Sequence, residues 1–250
     1  MRAFSMIYRG FAFLVRYQLW ISLAAVLFYR SGRSFLGLSP WAEPGAMELV
    51  IFFSTYLIYN LPGISKSMKS IGENRLFVFS CLFALFMLIA GILLLRLHEI
   101  LYMAHLGLIS FYYNFPFVQK RSGLLPLRSI PLVKIGAISY VWASIGSMFY
   151  LFNNPEQPDV TEYLQLFLTQ FLFIFTITIP FDIRDYSADR GSRILTLPLV
   201  LGIARSRLLA FLLGVVYVVT GSLSFGDPLP FLIMGIIIFL TVRMLSHFHE

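Results

Sequence analysis

The sequence predicts an all-α fold, a polytopic bundle of membrane-spanning helices, and three observations carry that reading. Hydrophobic residues make up 58% of the chain and charged residues 12%, and the mean hydropathy is +0.81, outside the range of soluble globular domains. The apolar residues are gathered in runs approaching the ~20 residues that a helix needs to cross hydrocarbon. Most of the 19 Lys and Arg lie between those runs and on alternate loops, the pattern that orients membrane helices.

Taken in order, Arg2, Arg9 and Arg16 precede the first run, Leu19–Phe28. It superficially resembles a secretory leader, but it has no convincing small-x-small cleavage site and continues into Tyr29-Arg30, so it is expected to remain as a first span. Further runs follow at 47–61, 76–95, 100–118, 132–151, 163–181, 208–223 and 229–245. That makes eight spans, with 47–61 and the last two short for a crossing. An N-terminus in the cytoplasm places sixteen of the nineteen Lys and Arg on that side and leaves Arg30, Arg33 and Arg96 outside. Both termini are therefore expected to be cytoplasmic, in a cell inner (plasma) membrane, with the acidic loop at 153–159 on the far face. The basic loops near 62–75, 119–131 and 182–207 share the cytoplasmic side, and a bundle with long loops on one face generally works on that face.

No polar linker, repeat or low-complexity tract divides the chain, so residues 1–250 are read as one domain. Cys81 is the only cysteine, which excludes an intrachain disulfide and assigns it to packing. The net charge of +7 is an orientation signal that also favours anionic lipids or substrates; it does not call for nucleic acid. His98 and His105, seven residues apart, lie near the side opposite the aspartates and read as packing histidines. Gln165 and Gln170 read as interhelical hydrogen-bonding residues. No Walker-type glycine loop, nucleophile elbow or His-Glu-x-x-His is present.

The densest chemistry follows the sixth run, in Pro180-Phe181-Asp182-Ile183-Arg184-Asp185-Tyr186-Ser187-Ala188-Asp189-Arg190. On a continuous helix, Asp182, Asp185 and Asp189 fall within an arc of roughly 60° and face one spot. Hard oxygen ligands of this kind suit Mg²⁺, which takes one or two carboxylates and shares its other positions with water and phosphate. The interleaved Arg184, Arg190 and Arg193 give the same pattern a second reading as a solvated salt-bridge network. Carboxylates at a helix C-terminus oppose the macrodipole at about 0.3–1 kcal/mol each, and a bound cation reverses that sign.

Asp182-Ile-Arg-Asp185-Tyr-Ser-Ala-Asp189-Arg-Gly, continued by Thr196-Leu197-Pro198-Leu199-Val200-Leu201-Gly202, resembles the second aspartate-rich motif of the UbiA superfamily of intramembrane prenyltransferases. Tyr112-Tyr113-Asn114-Phe115-Pro116, then Leu127-Arg128-Ser129-Ile130-Pro131-Leu132-Val133-Lys134, and Trp142 in the next helix resemble the family more weakly. The resemblance implies a bundle of about 8–9 transmembrane helices around a cavity open to lipid. It also implies Mg²⁺ held by Asp182, Asp185 and Asp189, a prenyl diphosphate contacted by Asn60, Lys66, Lys69, Arg128, Lys134 and Arg193, and a lipophilic acceptor. The implied mechanism ionises the allylic carbon–oxygen bond, with the leaving diphosphate stabilised by metal and cations, before the acceptor attacks. The first aspartate-rich motif departs from the family: in Tyr59-Asn60-Leu61-Pro62-Gly63-Ile64-Ser65-Lys66-Ser67-Met68-Lys69, Asn60 matches but no Asp follows. Two other classes stay open: a non-catalytic family member that binds an isoprenoid or lipid, which the missing motif supports, and a transporter, for which the spans carry too little midplane charge.

Overall fold

The computed structural model describes residues 18–39, 45–67, 75–115, 118–120, 123–125, 127–153, 159–192 and 195–246. Each of the eight apolar runs contributes at least one helix. The first four are α1 (Leu19–Phe35), α2 (Ala46–Ser67), α3 (Arg75–Ile92) and α4 (Leu97–Asn114). A short antiparallel hairpin, β1 (Val118–Lys120) with β2 (Gly123–Leu125), follows α4 and pairs Gln119 with Leu124. A single 3₁₀ turn at Leu127–Ser129 leads into α5 (Pro131–Gly146) and α6 (Met148–Asn153). The remaining helices are α7 (Val160–Arg184), α8 (Tyr186–Ser192), α9 (Leu197–Leu201), α10 (Ile203–Phe225) and α11 (Leu229–Ser246).

Local chemistry sets several boundaries. Asp159 caps α7, its side chain accepting from the Thr161 N–H at 2.9 Å. Pro131 opens α5 at its first position, where the missing N–H costs nothing. Gly226, at φ 71°, closes α10 in a left-handed conformation that a residue without Cβ adopts freely. The run expected at 132–151 is interrupted at Ser147, whose φ of −130° and ψ of −59° divide α5 from α6.

Among the described residues, four helical stretches are long and apolar enough to cross a membrane: Arg75–Ile92, Leu132–Tyr150, Val160–Arg184 and Ile203–Phe225. Ala46–Leu61 and Leu229–Met244 are shorter apolar helices. Their outer faces carry exposed large hydrophobic side chains such as Phe79, Leu82 and Phe86 on α3 and Leu208 and Leu212 on α10, the surface that hydrocarbon requires.

The residues group into two compact units, 1–107 and 108–250. In the first, α2 packs against both α1 and α3. Arg30 pairs with Glu48 at 3.4 Å between α1 and α2, and the Tyr56 hydroxyl meets Ser80 Oγ at 2.7 Å between α2 and α3. Cys81 is buried there with Tyr56 and Ala84, the packing role expected of it.

In the second unit α7 is the central helix, in contact with α5, α10 and α11. Lipid tails are as apolar as leucine, so such contacts depend on close approach and interhelical polar bonds more than on hydrophobic burial. Gly221 on α10 provides one close approach, since a methyl group there would run into the Phe231 ring of α11. Two polar rungs join α5 and α7: Lys134 with Asp182, and the Gly146 carbonyl with the Gln170 amide at 3.3 Å. Each rung lies twelve residues from the other along both helices, in opposite chain directions, so the pair is antiparallel and the rungs are about 18 Å apart.

Candidate functional site

The antiparallel pairing sets the first turn of α5 against the last turn of α7. Lys134 occupies that first turn, its N–H bonded to the Ile130 carbonyl at 2.8 Å. Its ammonium donates to Asp182 Oδ1 at 2.6 Å and lies 3.9 Å from Asp189 Oδ2. The backbone beneath is anchored by one core cluster in which Ile135, Ile179, Ile183, Leu197 and Ala210 are buried together. Lys134 and Asp182 are therefore each one residue from a side chain fixed in that core.

Asp182 is 4% exposed, and its second oxygen, Oδ2, is buried without a hydrogen-bond partner among the described residues. A buried carboxylate oxygen left unbonded costs about 1–3 kcal/mol or more, so this one is an open valence. Pro180, inside the last turns of α7, cannot donate to the carbonyl four residues earlier, which weakens the helix ladder next to the site. Burial pushes the Asp189 carboxyl above the usual carboxylate range; the Lys134 charge pulls it back and the Asp185 charge pushes it up again.

Asp185 departs from the expectation of three carboxylates facing one spot. α7 ends at Arg184, Asp185 is its C-cap at φ −86° and ψ 4°, and α8 begins at Tyr186. The Asp185 side chain is 45% exposed and paired with its neighbour Arg184, Oδ1 to Nε at 2.8 Å and Oδ2 to Nη2 at 3.0 Å. Two carboxylates share Lys134 while the third turns to an exposed arginine. Among the described residues no three His, Cys, Asp or Glu side chains form a metal-binding group.

The other residues singled out from the sequence are distributed as follows. Arg128 lies in the 3₁₀ turn six residues before Lys134, and its buried Nε has no hydrogen-bond partner among the described residues. Asn60 is buried in α2 and donates to the Tyr56 carbonyl of its own helix at 2.8 Å. Lys66 is in the last turn of α2, while its side chain, together with Lys69 and Arg193, falls outside the described residues. His105 has its ring 5.8 Å from that of Tyr102. Gln170 makes the interhelical bond expected of it, whereas Gln165 is exposed. The family resemblance assigns Lys134 to a phosphate and does not announce its bond to Asp182. The usable signal was the shared spacing of twelve between Lys134 and Gly146 and between Gln170 and Asp182.

Oxygen donors at a helix junction, a lysine between two carboxylates and apolar helices of membrane length define an integral membrane protein with a charged site on its second unit. The family model for the UbiA prenyltransferase family matches residues 68–250, and the chain belongs to that family. The matched stretch contains Arg128, Lys134 and all three aspartates, and begins beyond Asn60 and Lys66. No curated protein and no solved structure matches the chain. At the family level its function is of prenyltransferase type, with prenyl-type substrates and lipophilic acceptors.

Proposed function

We propose that the protein transfers an isoprenoid group from a prenyl diphosphate to a lipophilic acceptor in the membrane, with Mg²⁺ as cofactor. The observation that carries this reading is the Lys134–Asp182–Asp189 cluster at the abutting ends of α5 and α7, with Asp182 Oδ2 lacking a hydrogen-bond partner among the described residues. The donor set fits a hard divalent ion, because Mg²⁺ takes one or two carboxylates and completes its shell with water and phosphate. Asp182 and Asp189 would hold it, with Asp185 contributing charge from further out. When bound, Mg²⁺ neutralises phosphate oxygens and so stabilises the leaving diphosphate.

The chain's own residues supply the rest. The Lys134 ammonium can divide its three donors between Asp182 and a phosphate oxygen. Arg128 Nε, without a hydrogen-bond partner among the described residues, offers a further donor near the start of α5. Cleavage of the allylic carbon–oxygen bond leaves its electron pair on the diphosphate; the acceptor then forms the new bond to the carbocation and loses a proton. Apolar helices around that carbocation exclude the water that would quench it. The eight spans and cytoplasmic termini expected from the sequence belong to this proposal, since they set the site on the face supplied with soluble diphosphates.

A second reading, a non-catalytic member that binds an isoprenoid or lipid, is favoured by one observation: no carboxylate follows Asn60 in the segment 61–69. Incubating the purified protein with radiolabelled prenyl diphosphates and a membrane lipid extract, with and without Mg²⁺, separates the two. A new Mg²⁺-dependent lipophilic product supports the transferase. Retention of the labelled diphosphate with no product supports the binder.

A further inference from the structure

Thr196 stands at the N-cap of α9 with its backbone extended, φ −115° and ψ 166°. Threonine is common there because its hydroxyl ordinarily accepts from the N–H of the second or third helical residue. Here that use is closed. The second helical residue is Pro198, which has no N–H, and the third, Leu199, donates instead to the Thr196 main-chain carbonyl at 3.1 Å. The side chain accordingly makes no capping bond. Thr196 is nonetheless 0% exposed, and Oγ1 has no hydrogen-bond partner among the described residues. A buried, unbonded hydroxyl is unfavourable, and a valine of nearly the same shape would avoid the cost.

The position of Thr196 gives that hydroxyl a purpose. Leu197 is buried in the same core cluster as Ile135 and Ile183. Lys134, Asp182 and Thr196 are the chain neighbours of those three residues, so one core cluster holds all three polar groups in place. Asp182 Oδ2 and Asp189 Oδ2, on the two carboxylates that share Lys134, are further buried oxygens with no hydrogen-bond partner among the described residues. The five-residue helix α9 is too short to offer its own N-terminus as an anion site; the hydroxyl is what remains.

We infer that Thr196 is a further ligand-binding residue of the carboxylate site, its hydroxyl, without a partner among the described residues, serving an oxygen of the bound ligand. That oxygen belongs to a water on the cation or to a phosphate, since a hydroxyl both accepts and donates. The inference rests on the reading of Asp182 as a ligand, and the test separates the two.

The full chain in detergent is compared as wild type, Thr196→Val, Thr196→Ser and Asp182→Asn, by thermal unfolding without ligand and by calorimetric titration. One titration uses MgCl₂ alone and the other inorganic diphosphate in the presence of Mg²⁺. The expected result is an unfolding midpoint for Thr196→Val equal to or above wild type, an affinity about tenfold lower in at least one titration, and recovery in Thr196→Ser. Loss with MgCl₂ alone assigns the hydroxyl to a cation-bound water; loss confined to the diphosphate titration assigns it to a phosphate oxygen. A Thr196→Val protein that fails to fold, or whose midpoint drops with both affinities unchanged, marks a structural hydroxyl and overturns the inference. Wild-type affinities in Thr196→Val beside weakened ones in Asp182→Asn overturn this inference alone. Wild-type affinities in both variants overturn the functional reading, and the inference with it.

Discussion

Asn60 in α2 and Asp182 at the end of α7 are almost equally buried, at 5% and 4% exposure, yet they are satisfied in opposite ways. The Asn60 amide turns back on its own helix and donates to the carbonyl four residues earlier. That bond is local to α2. An ionised carboxylate only accepts, so Asp182 cannot bond a helix carbonyl and must find a donor elsewhere. It finds Lys134 on α5, forty-eight residues away in sequence, and still keeps one oxygen unbonded. Between these two residues burial makes no distinction; the unbonded carboxylate oxygen beside a lysine does.

The largest expected effect comes from breaking the interhelical pair. Lys134→Met leaves Asp182 buried opposite an apolar side chain and is expected to lower stability by about 3–5 kcal/mol, while Lys134→Met/Asp182→Leu regains most of that loss. Thermal unfolding in detergent reads both. If the single and double variants are equally destabilised, the pair is not what joins the two helix ends.

Converting the Asn60 segment toward the other type sharpens the contrast. Asn60→Asp places a carboxylate against the Tyr56 carbonyl and is expected to destabilise by about 1–3 kcal/mol, by the same unfolding assay. A stabilised variant would mean that this segment already contains a cation seeking a carboxylate. Gln170→Leu, which removes the second rung from the Gly146 carbonyl, is expected to cost about 0.6–2 kcal/mol, the range for one hydrogen bond between membrane helices. Asp185→Asn is expected to have the smallest effect, within about 1 kcal/mol, because its ion pair with Arg184 is solvated. A loss comparable to that of Lys134→Met would put Asp185 inside the cluster after all.

These expectations differ in how far the sequence supports them. Each of the eight apolar runs contributes a helix because hydropathy sustained over about ten to twenty residues has few other structural outcomes. An arc through Asp182, Asp185 and Asp189 does not anticipate the turn of Asp185 to its neighbour Arg184. It assumed an unbroken helix, whereas α7 stops at Arg184 without a glycine to announce its end. The hairpin at 118–125 lies at and just beyond the end of a run read as helix, in a stretch whose Gly123 and Pro126 signal a turn in retrospect. The Lys134–Asp182 bond depends on helix-to-helix register, which is a tertiary property; resemblance to the family put both residues at one site but could not show them bonded. Thr196 was visible only as part of a similar stretch, because an unused cap is recognised from which N–H groups are already taken.

The central claim is that the cluster at the ends of α5 and α7 is a site for a diphosphate and its cation and not a salt-bridge network. Calorimetric titration of the wild-type protein and Asp182→Asn with a non-hydrolysable prenyl diphosphate analogue, with and without Mg²⁺, tests it most directly. The account predicts binding that requires Mg²⁺ and weakens about tenfold or more in Asp182→Asn, the scale of one lost charge-assisted bond. Equal affinity in the two proteins, with or without Mg²⁺, would contradict it.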